Sequence, residues 1–146
     1  MRIYLDMCAY NRPYDDQSQL KVLMESQSKL RIQELIIEGK YELVGSYVLD
    51  YECSRNPFKM RKEAITDFID KYMSAYVSSD RADAITNKAN EIMKTGVKEK
   101  DALHIAAAIY AKCEYFISTD IRLLKYRTDE IKLVTPIEFI LQTEGE

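Results

Sequence analysis

The chain has 146 residues, enough to bury one hydrophobic core and too few for two ordinary domains, so a single domain over 1–146 is expected. Apolar residues make up 47% and charged residues 31%, which excludes a disordered chain. The net charge of −3 argues against a protein that grips nucleic acid by bulk positive charge, although a cluster of site carboxylates would itself depress that sum.

In chain order, residues 2–6 read as a buried strand, and Asn11 to Ser18 as a polar loop broken by Pro13. Ser18 is the expected N-cap of a helix running to about Glu38, where Gly39 stops it. Residues 41–45 form a second strand, and Ser46 caps a helix from Tyr47 to about Ser54 that breaks near Asn56-Pro57. The periodic segment from Phe58 to Met73 is helical, a short third strand lies near 75–77, and a helix from Asp80 to about Lys94 ends before Gly96. Residues 100–113 make the cleanest amphipathic helix. Two more strands, 115–119 and 131–134, flank a short helix, and Pro136 opens a terminal helix. Strands alternating with helices predict a three-layer α/β/α sandwich around a mostly parallel sheet of four to five strands.

Cys8, Cys53 and Cys113 are scattered without a CxxC spacing and read as buried reduced thiols. The first strand begins at once, with no secretory leader before it, and no apolar run is long enough to span a membrane. The expected location is the cytoplasm.

Four acids fall where strands end or helices begin. Asp6 closes the first apolar run, Glu52 lies six residues after Ser46, Asp101 opens the Ala-rich helix, and Asp120 closes Tyr115-Phe-Ile-Ser-Thr. In an open α/β sheet the carboxyl ends of the strands share one edge, so such residues converge. Acids gathered there repel one another unless a divalent cation neutralises them, and hard oxygen ligands suit magnesium or manganese. Each has a plainer reading. Asp6 is either a turn or cap residue or a ligand. Glu52 is either a site acid or a solvated helix acid, and Asp101 is favoured in a first helical turn whatever its role. Ser118 and Thr119 either support Asp120 by hydrogen bonding or cap the next short helix. His104 reads as a buried histidine satisfied by a backbone or carboxylate partner rather than as a general base.

The motifs Ile3-Tyr-Leu-Asp6, Ser46-Tyr-Val-Leu-Asp-Tyr-Glu52, Lys100-Asp101-Ala-Leu-His-Ile-Ala-Ala-Ala108 and Phe116-Ile-Ser-Thr-Asp120 together resemble the PIN domain family of metal-dependent nucleases, which includes the toxins of toxin–antitoxin pairs. The resemblance spans nearly the whole chain. It implies that Asp6, Glu52, Asp101 and Asp120 are the catalytic residues and hold Mg2+ or Mn2+, with Thr119 and Ser118 in support. It also implies an RNA substrate, a small antitoxin partner and a homodimer.

The loop after Asp6 departs from the family's short turn. Its Asn11 and Arg12 are either substrate contacts or part of a surface loop. Arg55, Lys59, Arg61 and Lys62 form a basic stretch that either tracks an RNA backbone or is a solvated face. Two other sheet-edge acid folds fit worse. A haloacid dehalogenase needs an Asp where Cys8 stands, and a receiver domain needs an Asp and a Lys that Val77-Ser-Ser and Val134-Thr-Pro lack. The alternative from another class is a PIN-like module that binds a protein or RNA partner without catalysis.

Overall fold

The computed structural model describes residues 1–145. Its sheet is built from β1 (Arg2–Leu5), β2 (Glu42–Ser46), β3 (Met73–Val77), β4 (Tyr115–Ile117) and β5 (Lys132–Val134), all parallel, in the order β3-β2-β1-β4-β5. β1 is the middle strand, with Ile3 in register with both Leu43 and Tyr115. A strand covered on both faces must be apolar throughout, and Ile3, Tyr4 and Leu5 are all fully buried.

The helices are α1 (Met7–Asn11), α2 (Leu20–Ile37), α3 (Tyr47–Ser54), α4 (Lys59–Tyr72), α5 (Ala82–Met93), α6 (Glu99–Tyr110) and α7 (Pro136–Thr143). They cover both faces of the sheet, and alternation along the strands decides what each face meets. Tyr115 points to the α7 side, where Phe139 packs edge-on against it and against Tyr41. Its neighbour Phe116 points the other way and stacks on Tyr4, whose ring meets His104 of α6. Ala102, Ala106, Ala107 and Ala108 are fully buried, so the alanine run is the packed face of α6. The α/β sandwich expected from strand–helix alternation is what forms.

Local details differ from the sequence expectation. Ser18 does not cap α2: Gln19 occupies that position without a side-chain bond, and the Ser18 N–H donates to Asp16 Oδ1 at 3.0 Å. The Asp side chain forms its own turn there and competes with the cap. β4 stops at Ile117, which releases Ser118 and Thr119 from the strand. β3 starts at Met73, two residues before the expected strand, and the element between β4 and β5 is a 3-10 turn over Leu123–Lys125. Gly39 behaves as anticipated. At φ +82° it donates to Ile36 O while Lys40 donates to Leu35 O, the paired bonds of a Schellman ending.

The same ending closes α6, but with a lysine in the left-handed position. Lys112 sits at φ 60° and donates to Ile109 O, and Cys113 donates to Ala108 O. A Cβ there is strained, whereas glycine is not. Lys112→Gly is therefore expected to raise stability by about 0.5–1 kcal/mol in urea unfolding, the strain relief exceeding the added chain entropy. A loss of stability would show that the lysine side chain stabilises the turn in some other way.

Candidate active site

The strand order reverses at β1 and β4: the chain leaves β1 toward β2 on one side and leaves β4 toward β5 on the other. The carboxyl ends of these two strands border the crevice where open α/β sheets place ligands. Asp6 is the first residue beyond β1, tied to β4 by its N–H, which donates to Ile117 O at 2.9 Å. Its side chain is only 5% exposed. Oδ1 accepts from the Met7 N–H at 2.9 Å, capping α1, and Oδ2 accepts from the Ser118 hydroxyl at 2.9 Å and the Cys8 thiol at 3.2 Å. Asp6 is thus both helix cap and site acid, and the two sequence readings do not exclude each other.

Glu52 approaches from α3. Its Oε1 lies 2.7 Å from His104 Nε2, and its Oε2 pairs with Lys100 Nζ at 2.8 Å. Burial raises the Glu52 carboxyl, but the bonds to His104 and Lys100 outweigh it and hold the group below its usual range. Behind His104 runs a buried chain of polar groups. Nδ1 lies 2.7 Å from the Tyr4 hydroxyl, which lies 2.8 Å from Ser46 Oγ, and Ser46 Oγ accepts from the Leu49 N–H. One set of donors satisfies every hydrogen: Ser46 to Tyr4, Tyr4 to His104 Nδ1, and His104 Nε2–H to the Glu52 carboxylate. Ser46 therefore caps α3, as expected, and also anchors this chain.

Asp101 and Asp120 lie on the other side of Asp6. Burial raises the Asp101 carboxyl, and the negative charges of Asp6 and Asp120 raise it further. Asp120 is held by a turn of its own, its Oδ1 accepting from the Arg122 N–H at 3.0 Å and its N–H donating to Ser118 Oγ. Ser118 thus touches Asp6 and Asp120 at once. Burial pushes the Cys8 thiol up to about 12, with Asp6 adding to the effect, so it stays protonated beside Asp6.

The four acids expected to act together are brought to one edge but not into one knot. Among the described residues, the donor atoms within 4.8 Å of one another belong to Asp6, Glu52 and His104. Asp101 and Asp120 join Asp6 through charge rather than contact. Carboxylate oxygens of Asp6 and Glu52, with Asp101 and Asp120 near enough for charge to act between Asp101 and both aspartates, fit a hard divalent cation, which would offset the burial and negative charge that raise Asp101.

Two cavities flank the acids. One, of about 700 Å³, is lined by Glu52, Asn11, Tyr51, Arg55, Phe58 and Arg61 among others. The other, of about 550 Å³, holds Asp101 and Asp120 beside Lys98, Arg122, Lys125 and Arg127. Asn11 lies at the first cavity. Arg12 does not offer a free cation there, because its guanidinium is taken by Glu25 at 2.8 Å and Asp15 at 3.1 Å. Thr119 is buried, and its N–H meets Cys8 Sγ at 3.4 Å. Sequence reasoning gave no role to Lys100, Tyr4 or the Ser46 hydroxyl beyond its cap. The one available signal was Tyr4 itself, a tyrosine between two core residues whose hydroxyl needs a buried partner.

No protein-family model matches the chain, and none of the curated proteins matches its sequence. Among solved structures it is similar to FitAcB from Neisseria gonorrhoeae, with a TM-score of 0.57 and 16% identity over 92% of this chain and 97% of that one. At that identity the likeness is one of fold. The fold is the PIN-like parallel α/β sandwich that the sequence motifs imply.

Proposed function

We propose that the chain is a magnesium- or manganese-dependent endoribonuclease, of the kind that serves as the toxin of a toxin–antitoxin pair. The observation that carries this reading is the gathering of acids at the strand-order reversal: Asp6 and Glu52 offer donor atoms within 4.8 Å of each other, and Asp6 is linked to Asp120 through Ser118. Asp6, Glu52, Asp101 and Asp120 would hold the cation. A divalent cation bound there supplies Lewis acidity, making water a competent nucleophile at neutral pH and neutralising charge on the scissile phosphate.

The protein's own residues do the rest. Ser118 fixes Asp6 and the Asp120 turn together. His104 and Lys100 hold both oxygens of Glu52 and keep it ionised. Thr119, buried with its N–H against Cys8 Sγ, would support the site from beside Asp120. A partner that restrains the enzyme, a short antitoxin segment, and pairing of two copies belong to the same proposal. Among the described residues no helix is long and apolar enough to cross a membrane.

A non-catalytic binding module is the second reading. The observation favouring it is that Glu52 already has a charge partner in Lys100 and a hydrogen-bond donor in His104 without any metal ion. Cleavage of a mixed RNA panel in Mg2+, Mn2+ and chelator separates the two. The nuclease is expected to cut with one of the ions and not in chelator. A chain that is inert with every ion yet binds RNA or a protein partner would instead be the module.

A further inference from the structure

The two cavities differ in kind, and the difference falls on either side of the acids. On the Glu52 side, Tyr51 and Phe58 are 67% and 56% exposed, large aromatic faces held open to solvent beside a site carboxylate. Each already carries a guanidinium. Arg55 lies 5.9 Å from the Tyr51 ring, and Arg61 lies 4.2 Å from Phe58 and 4.8 Å from Tyr14. Among the described residues neither arginine forms an ion pair, and the buried Arg61 Nε has no hydrogen-bond partner. Their charge is uncompensated beside the groove. On the Asp120 side the lining is cationic, with Lys98, Arg122, Lys125 and Arg127 and only the half-buried Tyr126 for an aromatic.

We propose that this surface reads an RNA strand on one side only: an unpaired base stacks on the Tyr51–Arg55 and Phe58–Arg61 platforms, while the Lys98–Arg127 side holds backbone phosphates without reading bases. The proposal rests on the nuclease reading for the strand's direction across the acids, but its binding surface stands apart from catalysis. Aromatic and guanidinium platforms need bases free of a partner strand, which a duplex does not present. Phosphate contacts give affinity that falls with salt, whereas stacking gives affinity that does not.

The test is fluorescence anisotropy of a labelled oligoribonucleotide, single-stranded or annealed, in chelator across a salt series. The native chain is expected to prefer the single strand by roughly tenfold or more, since stacking is lost in the duplex. Tyr51→Ala and Phe58→Ala should each weaken single-strand binding by roughly 5- to 100-fold with the salt slope unchanged, and Tyr51→Trp should restore it. Arg122→Ala, Lys125→Ala and Arg127→Ala should instead each flatten the log–log salt slope by about 0.7. All are exposed positions, and circular dichroism verifies that they fold.

Equal affinity for duplex, or alanine variants that bind like the native chain, overturns the proposal. If the native chain still cuts RNA with Mn2+ in that case, the nuclease reading survives alone. Platform variants that behave as expected in a chain that never cuts would support the groove and remove the nuclease. A native chain that binds no RNA overturns the proposal and leaves the arginine–aromatic groove to an acidic protein segment.

Discussion

Asp6→Asn should abolish metal-dependent cleavage while leaving the fold in place. Outer partners of metal ligands are worth roughly 10- to 100-fold, so losing a ligand itself should cost roughly 100-fold or more in activity and in Mn2+ affinity. The fold survives because an amide oxygen still accepts from the Met7 N–H, and the Ser118 hydroxyl, which also accepts from Asp120, can turn to accept from the new amide. A second readout needs no metal. In the native protein Asp101 is raised by burial and by the charges of Asp6 and Asp120. A raised carboxyl contributes stability that is complete below its unfolded value of 3.8 and is lost as pH rises through the folded value. Removing the Asp6 charge lowers Asp101 toward its usual range, so in chelator the variant should gain less stability than the native chain as pH falls from 7 toward 3.8. Retained Mn2+-dependent cleavage in Asp6→Asn would sink the assignment of this residue.

Arg12→Ala should be the most damaging change outside the site, costing about 3–5 kcal/mol in urea unfolding. Glu25 on α2 is fully buried, and its Oε1 is bound by Arg12 Nη2 at 2.8 Å and Nε at 3.0 Å. Its other oxygen has no partner among the described residues. Without Arg12 the buried carboxylate has no cation, and the loop from α1 to α2 keeps only its backbone ties, the residue-12 carbonyl accepting from Ser26 Oγ and Gln17 Nε2. Glu25→Gln in the same background should recover much of the loss, since an amide tolerates burial better than an unpaired charge. A single variant within 1 kcal/mol of native would mean that the ion pair is balanced by its own desolvation.

The fold class was legible because strands and helices alternate with clean periods, and from that alone Asp6 and Asp120 could be placed at strand ends and Asp101 at a helix start. What no local pattern encodes is who meets whom across the sheet. Glu52 and His104 are 52 residues apart, and Tyr4 and His104 are 100 apart. Their contact is set by the strand order and by the face each side chain takes. The sequence reading did allow His104 a carboxylate partner, but could not name Glu52. Arg12 was left open between two readings for a related reason. Its partner lies 13 residues on, one helical face into α2, and a lone arginine near a site acid looks like a substrate contact until that buried glutamate is seen. Ser18 was the expected cap of α2, but its N–H is drawn into the turn that Asp16 makes, and Gln19 takes the cap position instead. The roles of the four acids came from family resemblance. Their division between two cavities came only from three dimensions.

The middle strand has a consequence for how the molecule is made. β1 precedes the other strands, yet one of its two neighbours, β4, is synthesised more than a hundred residues later. A nascent chain can pair β1 with β2, but the crevice between β1 and β4 has no second wall until β4 has emerged and docked. Such long-range pairing is slow to form. On the nuclease reading proposed above, the site is incomplete until β4 docks, because Asp120 follows β4 and reaches Asp6 only then.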